Sequence, residues 1–195
     1  AAPMAPKITR LPKHFVARQE NNTIEDGTCK LDSVPQPANT LKAPTPDISL
    51  MLIALGRGTQ NYTCADASAA TLPTQVGAVA QLFNASCAVA NNALGQIDEN
   101  PNSIGMHFFA DLTTPEFDIP GVGNTQAKKV DEMNAPNAAN IKWLRLEAKQ
   151  ETSTSAVRQI YRLNTVGGLA PKNCEGQTPG AVITVQYQAQ YWIYA

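Results

Sequence analysis

From Ile183 to Ile193 the chain alternates without a break. Ile183, Val185, Tyr187, Ala189, Tyr191 and Ile193 fall on one side, and Thr184, Gln186, Gln188, Gln190 and Trp192 on the other. Successive side chains of a strand point to opposite faces, so a strict period of two describes an extended chain with one buried and one wetter face. A helix does not accommodate that pattern. The preceding stretch, Ala156 to Cys174 (AVRQIYRLNTVGGLAPKNC), also begins as an alternating strand and breaks at Gly167-Gly168. Together the two read as a long antiparallel hairpin, closed by Ala181–Tyr194, that anchors an all-β core.

Signals upstream agree. Ile48–Leu55 (ISLMLIAL) is a continuous apolar run that leads into GRGTQNYTC, Gly56–Cys64. It reads as a buried strand, a glycine-marked bend or bulge, and a second strand segment. Alternation in that segment sets Gln60, Tyr62 and Cys64 opposite Thr59, Asn61 and Thr63. Ile104–Asp111 is a strand with Met106, Phe108 and Ala110 on one face and His107, Phe109 and Asp111 on the other. A short strand lies in PEFDIPGVGN, and Ile141–Lys149 alternates as another. In Val76–Ala90, Val76, Val79, Ala80, Phe83 and Cys87 recur at helical spacing, so a short helix is expected there. Val130–Asn140 reads as a surface loop.

Residues 1–47 hold seven prolines and little periodicity. Proline lacks a backbone donor and fixes φ, so this segment is expected to be an extended arm packed on the body. Residues 48–195 form a single β domain. The fold class is therefore all-β and mainly antiparallel, a sandwich or a closed barrel, with one or two short helices and the proline-rich N-terminal arm.

Charged residues make up only 16% of the chain and the net charge is −1. With no basic patch there is no field to hold nucleic acid or an anionic lipid surface. No apolar run approaches the roughly 18 residues that span a bilayer. The start, AAPMAPKITRLPKHF, reads as a mature end left by processing. Four cysteines, Cys29, Cys64, Cys87 and Cys174, lack the CxxC spacing of a zinc site and suggest two disulfides. They allow three pairings, among which the sequence does not choose; Cys64–Cys174 with Cys29–Cys87 is preferred. Sequons at Asn21, Asn61 and Asn84 add to the reading of a secreted, extracellular glycoprotein.

The motifs GRGTQNYTC, IGMHFF, WLRL, YRLNTVGGLAP followed by Cys174, and the ending VQYQAQYWIY occur in one order in one family. Over roughly residues 45–195 the chain resembles the domain of unknown function 3455 family, secreted proteins of fungi and bacteria, and its fungal form more closely. That resemblance implies no established activity. Some members carry the label malate dehydrogenase, which the residues here do not support. A dinucleotide site needs a glycine-rich turn between a strand and a helix. Gly121-Val-Gly123 and Gly167-Gly168 lack the GxGxxG spacing and open no helix.

The candidate chemistry is sparse. His107, between aromatics on a strand, has the chemistry of a general base, with Asp111 on its face and Glu116 and Asp118 nearby. The plainer reading is a histidine bonded to a neighbouring strand. With only two histidines, His107 and His14, no three-histidine metal site exists and no metal or cofactor is expected. Scattered carboxylates read as solvated turn residues before they read as a glycosidase pair. Arg158 and Arg162, four apart, with Asn164 beyond, are expected to gather with Gln60 and His107 in a polar binding cluster. Trp143, Trp192, Tyr194 and Phe117 are candidate sugar platforms, or else core.

The expectation that follows is a non-enzymatic secreted protein associated with the cell wall or surface and contacting its polysaccharide. A hydrolase or lyase using His107, an acidic partner and an arginine is the alternative. A structural or effector-like interaction module is a third.

Overall fold

The computed structural model describes residues 29–92 and 102–195. Within them eight antiparallel strands follow one another around a closed barrel: β1 (Leu50–Thr63), β2 (Thr74–Asn84), β3 (Ser103–Phe109), β4 (Pro115–Ile119), β5 (Gly123–Met133), β6 (Trp143–Ala148), β7 (Gln159–Gly167) and β8 (Val182–Tyr194). Each pairs with the next, and β8 returns to β1 from Tyr194 opposite Leu50 to Val182 opposite Thr63. The barrel, not the sandwich, is the form the all-β pattern takes. Closure leaves no strand edge unpaired, which an open sheet must otherwise protect. The β7–β8 hairpin pairs Gln159 with Tyr194 and Gly167 with Tyr187, as its alternation requires.

Three expectations are corrected. Val76–Ala90 is not a helix: β2 runs to Asn84, and only Ser86–Ala90 form a helical turn, α1. Ala78, Ala80 and Leu82 alternate inward, while Val79, counted toward the helical stripe, lies 44% exposed on the outer wall. Pairing with β1 and β3 overrides the helical spacing of a few small residues. Nor does the GRG segment bend the chain, because β1 is continuous from Leu50 to Thr63. Gly56 and Gly58 face inward, where there is no room for a side chain. A Cβ on Gly56 would lie 2.5 Å from Cε2 of Tyr191, and one on Gly58 would meet the Val79 carbonyl oxygen. The region expected as a loop from Val130 also begins as strand, since β5 continues to Met133.

Both faces of the wall are buried along one side. Inside, Leu52, Ala54, Leu82, Ile119, Ile160 and Ile193 belong to one apolar cluster. Outside, Ile53, Leu55, Phe83, Trp143, Tyr161, Leu163, Trp192 and Tyr194 form a second, covered by Leu31, Val34, Leu41 and Ile48 of the arm. Trp192, on the face expected to be wetter, is therefore only 1% exposed. Polar bonds fix the cover: the Tyr161 hydroxyl donates to the Lys42 carbonyl at 2.7 Å, and Gln36 Nε2 donates to the Tyr194 oxygen at 2.9 Å. Two disulfides complete it. Cys29–Cys87 ties the arm to α1, and Cys64–Cys174 joins the end of β1 to the β7–β8 connection, the preferred pairing.

Candidate functional site

The apolar filling does not extend through the barrel. Toward the end where β1 finishes and β8 starts, inward positions turn polar: Gln60 on β1, His107 on β3, Arg162 on β7, Tyr187 and Tyr191 on β8. There a pocket of about 350 Å3 opens, lined by Gln60, Tyr62, His107, Arg162 and Tyr191, with apolar wall from Phe109, Ile141, Leu144 and Leu146. Leu112 and Leu169, both well exposed, also line it, as do Lys129, Glu132 and Lys142. Small residues make the space. Beside Gln60 and His107, their strand partners on β2 are only alanines, Ala78 and Ala80.

His107 is 3% exposed, and its ring lies 4.3 Å from that of Phe117 at 14°. Nδ1 sits 2.9 Å from the Glu116 carbonyl oxygen. A carbonyl only accepts, so Nδ1 carries the proton and Nε2 of the neutral ring holds the lone pair. Burial pushes the imidazole pKa down to about 4, and the Arg162 charge pushes the same way. The ring is therefore uncharged at neutral pH.

Arg162 is the electrostatic centre. Nε and Nη2 donate to the Lys142 carbonyl at 3.2 and 2.9 Å. Among the described residues no carboxylate pairs with it; Glu132 bridges Lys129 and Lys142 instead. The Arg162 charge acts on Tyr62, His107, Tyr187 and Tyr191 together. Burial nonetheless raises all three phenols above the ordinary value. The Tyr187 and Tyr191 hydroxyls bond each other at 2.7 Å.

Gln60 is 2% exposed. Its Oε1 accepts from Gln75 Nε2 at 2.7 Å. Its own Nε2 is buried and completes no hydrogen bond, although the side chain lies close enough to the Tyr187 phenol to favour the ionised form slightly. The Gly167-Gly168 corner presses on this group: a Cβ at Gly168, whose φ is +83°, would come 3.2 Å from Gln60 Cγ and 2.8 Å from Tyr187 Cβ. Tyr62 locks the corner by donating to the Gly168 carbonyl at 2.6 Å.

Of the expected cluster, Gln60, His107 and Arg162 meet in the pocket, and Arg158 and Asn164 do not. Arg158 precedes β7, lies exposed and pairs with Asp47 on the arm. Asn164 takes a left-handed φ of 46° at the β7 irregularity, and its Nδ2 donates to Gln190 Oε1. Asp111 is exposed, and its carboxylate accepts from the amides and hydroxyls of Thr113 and Thr114. That bonding fixes the turn carrying Leu112 and Thr113 to the pocket and leaves His107 without Asp111. The Glu116 carboxylate accepts from Asn124 and Gln126. Trp143, Trp192, Tyr194 and Phe117 are all buried. Asn84 is exposed, Asn61 half-buried, and Asn21 and His14 lie outside the described residues.

The sequence reading missed the paired phenols and the charges of the rim. Tyr187 and Tyr191, four apart on the inward face of β8, carry hydroxyls that need partners once buried, and that was a signal. Lys129 gave none until the β5 register brought it opposite Leu146. Among the described residues no group of three or more His, Cys, Asp or Glu is arranged to hold a metal, and no helix is long and apolar enough to cross a membrane.

An antiparallel meander closed on eight strands, apolar at one end and hollow at the other, defines a class of small β-barrels with room for one small molecule. Within it, residues 44–195 match the family model described as protein of unknown function (DUF3455), and the chain belongs to that family. No curated protein and no solved structure matches it.

Proposed function

We propose that the chain is a secreted binding protein of the cell surface or wall that takes a small organic molecule into the mouth of its barrel without transforming it. The observation that carries this reading is the buried Gln60 amide with an unmet donor. A buried polar group left unpaired costs about 1–3 kcal/mol, and an arriving acceptor recovers that cost. The pocket volume falls within the range of small-molecule sites, and its lining mixes apolar wall with a few convergent polar groups, as such sites do. The candidate sugar platforms are buried, so carbohydrate contact fits this geometry only as a cell-wall fragment short enough to enter the pocket, not as a polymer along the outer wall.

Secretion is supported by two disulfides, which persist in oxidising compartments, and by the exposed sequon at Asn84. The alternative of a hydrolase or lyase keeps one specific observation in its favour, the neutral His107 with its Nε2 lone pair beside Arg162 and two phenols. Of the acidic groups expected beside His107, Asp111 and Glu116 are bonded elsewhere. A fragment screen by ligand-observed NMR tests the binding reading. Hits that shift the side-chain amide of Gln60 support it, and a library with no hit at the pocket removes it. Turnover of any hit, abolished in His107→Gln, would move the assignment to the enzyme.

A further inference from the structure

We infer that the pocket takes an organic monoanion, a carboxylate on an apolar body, with the carboxylate held by Arg162 and Gln60. This rests on the binding reading above and adds the chemistry of the ligand. Three cationic side chains line the pocket, Lys129, Lys142 and Arg162, against one carboxylate, Glu132. Glu132 is shared between both lysines, so the lining as a whole keeps an excess of two positive charges. Arg162 is the cation with no carboxylate: among the described residues it donates to a backbone carbonyl and lies in hydrogen-bond contact with the Tyr191 phenol. Two of its five N–H groups go to that carbonyl, and a carboxylate is the acceptor that the rest of the fork fits.

Gln60 Nε2 supplies an independent argument. It is a donor, buried and unmet, so the missing group is an acceptor and not a cation. Gln60 and Arg162 converge as donors from β1 and β7 beside the Tyr187 and Tyr191 phenols, with no carboxylate among the described residues bonded to either. An anionic head is the acceptor such a pair would take. Much of the wall is apolar, including Phe109, Ile141, Leu144 and Leu146, which suits an aromatic ring or short alkyl chain better than a fully hydrated inorganic ion.

The test titrates the whole chain with benzoate, cinnamate and octanoate, with the matching primary alcohols, and with inorganic phosphate. The readout is the NMR shift of the Gln60 side-chain amide and the Arg162 Nε–H. The carboxylates should bind at least about tenfold tighter than their alcohols, as a charge-assisted bond in place of a neutral one implies. Added salt should weaken the carboxylates and leave the alcohols unchanged. Arg162→Gln should erase the preference while alcohol binding persists, and Arg162→Lys should retain part of it. Alcohols that match the carboxylates at the pocket would overturn the anion assignment and leave the binding reading standing. Phosphate that matches benzoate would overturn the organic body. If no probe shifts either resonance, both readings fail. The wild-type salt dependence decides the matter even if the Arg162 variants do not fold.

Discussion

The imidazole of His107 stacks on the ring of Phe117 with 4.3 Å between centroids, deep in the wall where β3 pairs with β4. The stack is compatible with a neutral ring, and burial holds the pKa near 4 where an unfolded histidine titrates near 6.5. Between those values the unfolded chain takes up a proton that the folded one refuses. Stability therefore falls as pH drops from about 6.5 toward 4, by at most about 3 kcal/mol, and this group contributes no slope above that window. Asp111, held near 2 by its turn, and Glu132, held near 2 by Lys129 and Lys142, add a second, lower step. Their contribution is intact above about pH 5 and is lost as pH falls toward 2. Urea midpoints across that range should show both steps, with the upper one absent in His107→Gln.

Gly58→Ala should be among the most damaging single changes in the barrel. Its Cβ would meet the Val79 carbonyl oxygen and come within 2.6 Å of the Ala80 Cα, both backbone atoms of the adjoining strand. A loss of at least about 3 kcal/mol is expected, since a paired strand must move to make room. Gly121→Ala is the control. Nothing lies within 4 Å of its added carbon, and only the positive φ of 87° is strained, for about 1 kcal/mol. Thermal melts of the two variants side by side test the contrast.

The Tyr161 hydroxyl serves two parts of the molecule, donating to the Lys42 carbonyl and accepting from Arg145 Nε at 3.1 Å. Tyr161→Phe removes both bonds while keeping the ring packed against Tyr194. The cost should be about 1–3 kcal/mol, felt mostly by the arm. Limited proteolysis should cut between residues 29 and 49 sooner than in the wild type, with the barrel fragment surviving.

Replacing both Cys64 and Cys174 by serine should cost about 5 kcal/mol. The bridge spans 110 residues, and the entropy of the unfolded chain rises with the loop released. Opening Cys29–Cys87 should act locally on the arm and α1. Denaturant midpoints, with and without reductant, separate the two.

The all-β antiparallel class was legible in the sequence because β7 and β8 alternate over long runs, and so was the inward side of Tyr187 and Tyr191, but the choice of barrel over sandwich was not. Two staples and a proline-rich arm were legible from the cysteines and prolines. What spacing concealed was register. Arg158 and Arg162 share a parity, yet Arg158 sits at the end of the ladder, just before β7, where its side chain pairs with Asp47 of the arm, while Arg162 lies within β7 and lines the pocket. Asn164 looked like a continuation of the same face, but its left-handed backbone breaks the alternation. Asp111 shares the parity of His107 but lies past the end of β3, where its carboxylate is occupied by the turn it forms. Tertiary context also rewrote Val76–Ala90: the helical spacing of Val76, Val79, Ala80, Phe83 and Cys87 gave way to pairing with β1 and β3, which turns Ala78, Ala80 and Leu82 inward.

The closure of β1 onto β8 has a consequence for biogenesis. A strand made early on the ribosome finds its longest partner only in one made more than a hundred residues later. Until then Leu52, Ile53, Ala54 and Leu55 have an unmet hydrogen-bonding side and an apolar surface that chaperones recognise. Sealing therefore waits on the synthesis of β8. Chains shortened anywhere within Val182–Tyr194 should accumulate as captured, protease-sensitive species, not as smaller barrels.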